Sequence, residues 1–163
     1  MTGPADGLTH VDEHGAARMV DVSGKQPTAR TAVATGVLRT TAEVMGLLRD
    51  NALAKGDAIA TARIAGIMGA KRTPDLVPLC HPIAISRVTV DFSLSESEIE
   101  IVATVSTTDR TGVEMEALTA VAVAGLTLHD MIKAVDPAAV LDAVRVQRKD
   151  GGKTGTWVRP EDR

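Results

Sequence analysis

The sequence predicts an α+β domain in which helices lie on one face of an antiparallel sheet, and three observations carry that expectation. Strand-like alternation recurs in separate places, two long helical segments carry few bulky side chains, and the order reads strand, two helices, two strands, helix, strand. No internal repeat or second domain interrupts it.

The first strand lies between Arg30 and Arg39, where Thr31, Val33, Thr35 and Val37 alternate with small residues. Thr40 or Thr41 then caps a helix over 42–53, with Val44, Leu47 and Leu48 on one face. A second helix over 57–72 interleaves Ile59, Ile64, Ile67 and Met68 with alanines and with Gly66 and Gly69. Each interior glycine costs about 1 kcal/mol of helix stability, so Gly66 and Gly69 imply another backbone approaching closely. Pro74 ends this helix. Val88, Val90, Phe92 and Leu94, then Ile99, Ile101, Ala103 and Val105, flank a polar turn at 95–97 and form a hairpin with one wet face. Thr111 and Glu114 have capping-box spacing and open a helix that runs to Val135, before the Asp136-Pro137 stop. A last strand over 140–148 leads into the glycine-rich stretch 150–155.

A chain of 163 residues with 44% apolar content can bury one core unaided. The expected organisation is a mobile N-terminal segment over 1–12, one catalytic domain over 13–156 and a tail over 157–163. The longest nearly uncharged stretch, 117–128, is too short to span a bilayer, so no membrane partner is expected. One cysteine and no secretory pattern point to the cytoplasm. A net charge of -3, one Phe, one Trp and no Tyr argue against nucleic acid, which needs a basic field or stacking platforms.

His81 lies at a helix-to-strand junction, where it either serves chemistry or satisfies a buried carbonyl. Its neighbour Cys80 points to the opposite face of an entering strand and reads as a small buried hydrophobe, not a nucleophile. With one Cys and four His, and no Cys-x-x-Cys or His-Glu-x-x-His, no resident metal is expected; Mg²⁺ escorting a phosphate substrate stays open. Gly152-Lys153-Thr154 resembles the end of a P-loop, but Gln147 stands where that motif needs glycine, and an ordinary flexible turn is the plainer reading.

Asp130 and Lys133 share a helix face as a surface ion pair or an acid–base pair. Glu114 and Glu116 lie at the other end of that helix, and fourteen residues of rise put Glu116 about 21 Å from Asp130. If both act on one small substrate, two chains must supply them. Lys55, Arg63, Lys71, Arg72, Lys133 and Lys153 together suit a polyphosphate, although each alone is an ordinary surface cation.

Read together, Lys55-Gly56-Asp57, 62–66, 70–73, 75–82, 111–119 and 130–135 resemble the cyclic pyranopterin monophosphate synthase family of molybdenum cofactor biosynthesis. The resemblance extends from 8–10 and 19–23 to Gly151-Gly152-Lys153. It implies a ferredoxin-like subunit, a homohexamer built as a trimer of dimers and active sites at the dimer interface. The implied reaction is a phosphorus–oxygen lyase step: 3′,8-cyclo-7,8-dihydroguanosine triphosphate becomes cyclic pyranopterin monophosphate plus diphosphate.

By position, the resemblance makes Asp130 catalytic with Lys55 and Lys133 assisting, and puts Leu79, Cys80, His81, Met115 and Glu116 against substrate, with Glu114, Lys71 and Lys153 nearby. Arg63 joins Lys71 and Lys153 as a candidate for the diphosphate charge. The chain departs from the family pattern at His129 and Pro74, which bear on pocket shape and not on reaction type. Repeated proton transfers suit an aspartate beside lysines, and expelling diphosphate needs cations already in place. No cofactor is implied. The rival reading is a non-catalytic, ferredoxin-like module that binds a phosphate ligand or serves assembly.

Overall fold

The computed structural model describes residues 10–161. Residues 1–9 of the expected mobile segment and residues 162–163 of the expected tail lie outside the described residues. Nine elements follow in order: β1 Thr28–Arg39, α1 Ala42–Arg49, α2 Ala58–Lys71, α3 Thr73–Leu76, β2 Ile85–Leu94, β3 Glu98–Asp109, α4 Glu114–Ile132, β4 Val140–Asp150 and β5 Trp157–Val158. They form one antiparallel sheet in the order β2-β3-β1-β4-β5, with β1 at its centre.

The helices sit on one face because the sheet alternates. Val90, Phe92 and Leu94 of β2 lie opposite Ala103, Ile101 and Ile99 of β3, and these β3 residues are fully buried. On β1 the buried positions are the small ones, Ala32, Ala34 and Gly36, followed by Leu38; Thr31, Val33, Thr35 and Val37 occupy the other, half-buried face. The small residues admit α4, since a Cβ on Gly36 would stand 2.6 Å from Val121 Cγ1. The architecture is therefore α+β and ferredoxin-like, an open sheet with its helices on one side.

The smooth face of α2 meets α4 of the same chain: a Cβ on Gly66 would lie 2.9 Å from the Ala120 carbonyl oxygen and one on Gly69 2.8 Å from Val123. By length and composition α4 is apolar enough to cross a bilayer, with 19 residues and a mean hydropathy of 1.3, but it serves here as the core helix, half buried between α2 and the sheet.

Several local expectations change. The first helix stops at Arg49 instead of 53, because Asn51 turns to positive φ and Ala52 donates back to the Leu47 carbonyl at 2.9 Å, which tucks Leu53 into the core. Pro74 ends no helix alone; it sits in the first turn of the four-residue α3. The capping box does not form, since α4 starts at Glu114 behind Val113 with no side-chain cap, and Glu114 turns instead to Lys149 at 3.0 Å. The helix ends at Ile132, where buried Asp136 accepts from Thr40 Oγ1 at 2.8 Å and from Ala138 N at 3.1 Å. The tail contributes β5, in which Trp157 pairs with Lys149 and Val158 with Arg148.

Candidate active site

A cleft of about 410 Å³ opens beside the first turn of α4. Leu79, Cys80 and His81 line it from the loop between α3 and β2, while Glu114, Met115 and Glu116 line it from the helix. His81 reaches the Val20 carbonyl through Nε2 at 2.7 Å. A carbonyl only accepts, so Nε2 carries the proton and Nδ1 is the nitrogen left for a ligand. The ring thus satisfies a carbonyl while lining the cleft.

Glu116 is 3% exposed, and its carboxyl is pushed up from 4.5 to about 7. Burial is the largest cause; the backbone N–H of Glu116 opposes it, and the charge of Glu114 adds to it. The Cys80 thiol is pushed up too, first by burial and then by the charge of Glu116, which makes it a poor nucleophile. The expected opposite-face placement of Cys80 and His81 does not hold, because both lie in a loop before β2 and line the same cleft, and Cys80 is half-buried.

The raised carboxyl has a consequence for stability. Between 4.5 and about 7 the folded chain holds the Glu116 proton and the unfolded chain has released it, so stability falls as pH rises through that window. Glu116→Gln removes the slope. Thermal melts at about pH 5 and about pH 8 are expected to show wild type losing about 1–3 kcal/mol relative to the variant. Parallel curves would show that Glu116 titrates alike in both states.

The opposite end of α4 carries a second cluster. Lys55 Nζ donates to Asp130 Oδ2 and to the Asp130 carbonyl, both at 2.8 Å, and Lys133 Nζ lies 2.7 Å from Asp130 Oδ1. Lys55 arrives on the loop after α1, which turns at Gly56 with φ of +92° before Asp57 caps α2 through the Ala60 N–H. The carboxyl of Asp130 is held down at about 2, chiefly by the hydrogen bonds from Lys133 and Lys55 and then by their charges. At neutral pH Asp130 is an acceptor only, so a proton delivered here must come from a lysine. Glu116 and Asp130 stay about 21 Å apart along the helix.

Arg63, Lys71 and Lys153 line neither place. Arg63 donates to the Val90 carbonyl at 3.0 Å and lies 5.5 Å over the Phe92 ring, on the β2 side. Lys71 is exposed at the end of α2, and Lys153 is exposed in the glycine-rich turn. That turn needs its glycines: Gly151, Gly152 and Gly155 all have positive φ, and a Cβ would strike the Ala29 carbonyl from Gly151 and the Arg30 guanidinium from Gly152.

Sequence reasoning missed Lys25 and His10, which border the cleft from the segment before β1, and Arg30 and Lys149, which border a smaller cavity on the other side of Glu114. No periodicity marks the segment before β1. For Lys149, the alternation of β4 was available, but a register shift against β1 obscures which face it takes. Among the described residues, no three His, Cys, Asp or Glu side chains gather to hold a metal.

A model of the MoaC family matches residues 19–152. "Cyclic pyranopterin monophosphate synthase" from Streptomyces coelicolor is 65% identical over 156 residues, covering 96% of this chain and 92% of that protein. "Cyclic pyranopterin monophosphate synthase 2" from Mycobacterium tuberculosis is 63% identical over 152 residues, covering 93% and 91%. The protein of that first name from Corynebacterium glutamicum is 57% identical over 150 residues, covering 92% and 96%. With the family model spanning most of its length and this identity sustained end to end, the chain belongs to the MoaC family.

Proposed function

We propose that this chain is a cytoplasmic phosphorus–oxygen lyase of molybdenum cofactor biosynthesis, converting 3′,8-cyclo-7,8-dihydroguanosine triphosphate into cyclic pyranopterin monophosphate and diphosphate. The observation that carries the reading is the pairing of two acid–base centres on α4: a buried carboxyl that changes charge near neutrality and an aspartate gripped by two lysines. Relatives 57–65% identical bear the name of a synthase of cyclic pyranopterin monophosphate, which supports that product.

In this reading Lys133 and Lys55 deliver and recover protons as the purine ring opens and the pyrazine ring closes, while Asp130 keeps both ammonium groups in place. Glu116, titrating near 7, exchanges a further proton, and His81 offers Nδ1 to the substrate. Lys149 and Arg30 stand beside the glycine-rich turn, where cations offset charge developing on the leaving diphosphate. Lys71, Lys153 and Arg63 belong to this proposal only as cations that a second subunit brings near.

The working enzyme is a hexamer, a trimer of dimers, whose sites combine Glu116 of one chain with Asp130 of its neighbour, because one rigid helix holds the two apart. Ile64 and Met68 on α2 and Leu126 on α4 are 60%, 50% and 64% exposed, an apolar surface suited to a second copy.

The test incubates purified protein with the cyclic dihydro-nucleotide and measures diphosphate together with the pterin recovered after oxidation. Both products are expected in equal amounts, and tight binding without either would leave only a ligand-binding module. Mixing inactive Glu116→Ala and Asp130→Ala chains is expected to restore roughly a quarter of wild-type turnover. No recovery despite demonstrated subunit exchange would place each site within one chain.

A further inference from the structure

Glu114 is a wall common to two cavities. On one side it lines the cleft that holds Glu116, and on the other it lines a cavity of about 170 Å³ bordered by Arg30, Lys149 and the glycine-rich turn. Its Oε1 lies 3.0 Å from Lys149 Nζ. We propose that Glu114 is a positioning residue that couples the two spaces: a phosphate entering the smaller cavity takes Lys149 from Glu114, and the freed carboxylate drives Glu116 to take up a proton from solvent. The proposal rests on the enzymatic reading above and adds an order of events to it, phosphate first and the proton on Glu116 second.

The smaller cavity is arranged for this exchange. Arg30 is held by carbonyl oxygens, through Nε on Asp109 at 3.1 Å and Nη2 on Arg110 at 3.4 Å, which leave its charge uncancelled. Asp150, the second carboxylate of the lining, is occupied by Arg148 at 2.8 and 3.0 Å and by Thr156 Oγ1 at 2.7 Å. Lys149 is therefore the cation that has to be released, and Glu114 is the group an anion displaces from it. At 37% and 28% exposure, the Lys149–Glu114 pair is partly sheltered from screening yet open to an anion.

The consequence falls on Glu116, which follows Glu114 by two positions in the first turn of α4 and is buried. Even with Lys149 beside it, the charge of Glu114 raises the Glu116 carboxyl. Once Lys149 turns to a phosphate, that charge acts without its counter-ion, and a carboxyl poised near neutrality binds a proton. The other titratable groups of the cleft are Cys80 and His81 from the loop after α3, and Lys25 and His10 from the segment before β1. None of these lines the smaller cavity, so Glu114 is the charged link between the two. A protonated Glu116 then faces the substrate as a hydrogen-bond donor.

The test titrates the full-length purified protein with inorganic triphosphate near pH 7.5 in a calorimeter, in buffers of different ionisation enthalpy, and so counts the protons exchanged. Wild type is expected to take up about half a proton per site more than Glu116→Gln, a difference that cancels any proton lost by triphosphate itself. Glu114→Gln is expected to bind triphosphate about 3–10-fold more tightly, because Lys149 no longer has to be released. Its proton uptake, taken against the Glu114→Gln/Glu116→Gln double variant, should fall below about a third of the wild-type difference. With the cyclic dihydro-nucleotide, the pH limb of Glu116 should lie higher in kcat than in kcat/KM for wild type, and at one pH in both for Glu114→Gln. A purely structural Glu114 would leave the two limbs apart. Equal proton counts in wild type and Glu116→Gln, unchanged or weaker triphosphate binding in Glu114→Gln, or no triphosphate binding at all would each overturn the proposal. Any of these beside an active wild type sinks the coupling alone, whereas an inactive wild type sinks the enzymatic reading.

Discussion

Asp130→Asn is expected to lower kcat on the cyclic dihydro-nucleotide by about 10²–10⁴-fold, the range for losing a positioned acid–base group. The amide keeps the size of the side chain but can no longer hold a negative charge between Lys55 and Lys133, which both lie within 2.8 Å of the carboxylate. Two ammonium groups left facing each other each favour the neutral amine, so the pH profile should shift as well as fall. The fold should hardly respond. All three side chains are about half exposed, at 44–56%, and ion pairs of that kind add little to stability. Steady-state kinetics beside a thermal melt separates the two effects, and a kcat within about threefold of wild type would remove Asp130 from the chemistry.

Gly66→Val is expected to destabilise the chain by about 1–3 kcal/mol, from overpacking and from a β-branched residue in a helix. The added Cβ alone would sit 2.9 Å from the Ala120 carbonyl oxygen, 3.2 Å from Val90 and 3.3 Å from the Ala124 methyl. A backbone oxygen cannot swing aside as a long side chain does, so α2 must lift from α4. The melting temperature should fall by about 3–10 °C for a domain of this size. A melt unchanged within error would mean that the two helices are not in this contact. Gly46→Ala is the matched control, because nothing lies within 4 Å of its Cβ position.

The contact at Gly66 also shows what the sequence could and could not tell. Glycines inside a helix declared a close neighbour, and one exists in α4 of the same chain. Hairpin phase was readable because each of Val88, Val90, Phe92 and Leu94 lies on the face of a buried β3 residue. Asp130 and Lys133 were readable as a pair through their spacing, whereas Lys55 comes from 75 positions away and joins them only through the fold. The cap of α4 misled for the same reason: Thr111 and Glu114 have the local spacing, but Lys149, delivered by β4, holds the glutamate elsewhere. The two-residue β5 has no periodicity to detect and exists because the edge of β4 accepts it.

The separation of Glu116 and Asp130 on one helix bears on inheritance as well as on catalysis. Under the shared-site reading, a chain broken at either end still lends its sound end to a neighbour and spoils the other, so a defective copy made beside an intact one is not silent. Beside an intact copy, residual activity in such a cell would follow the share of intact chains, and two different defects carried together would outperform either one alone.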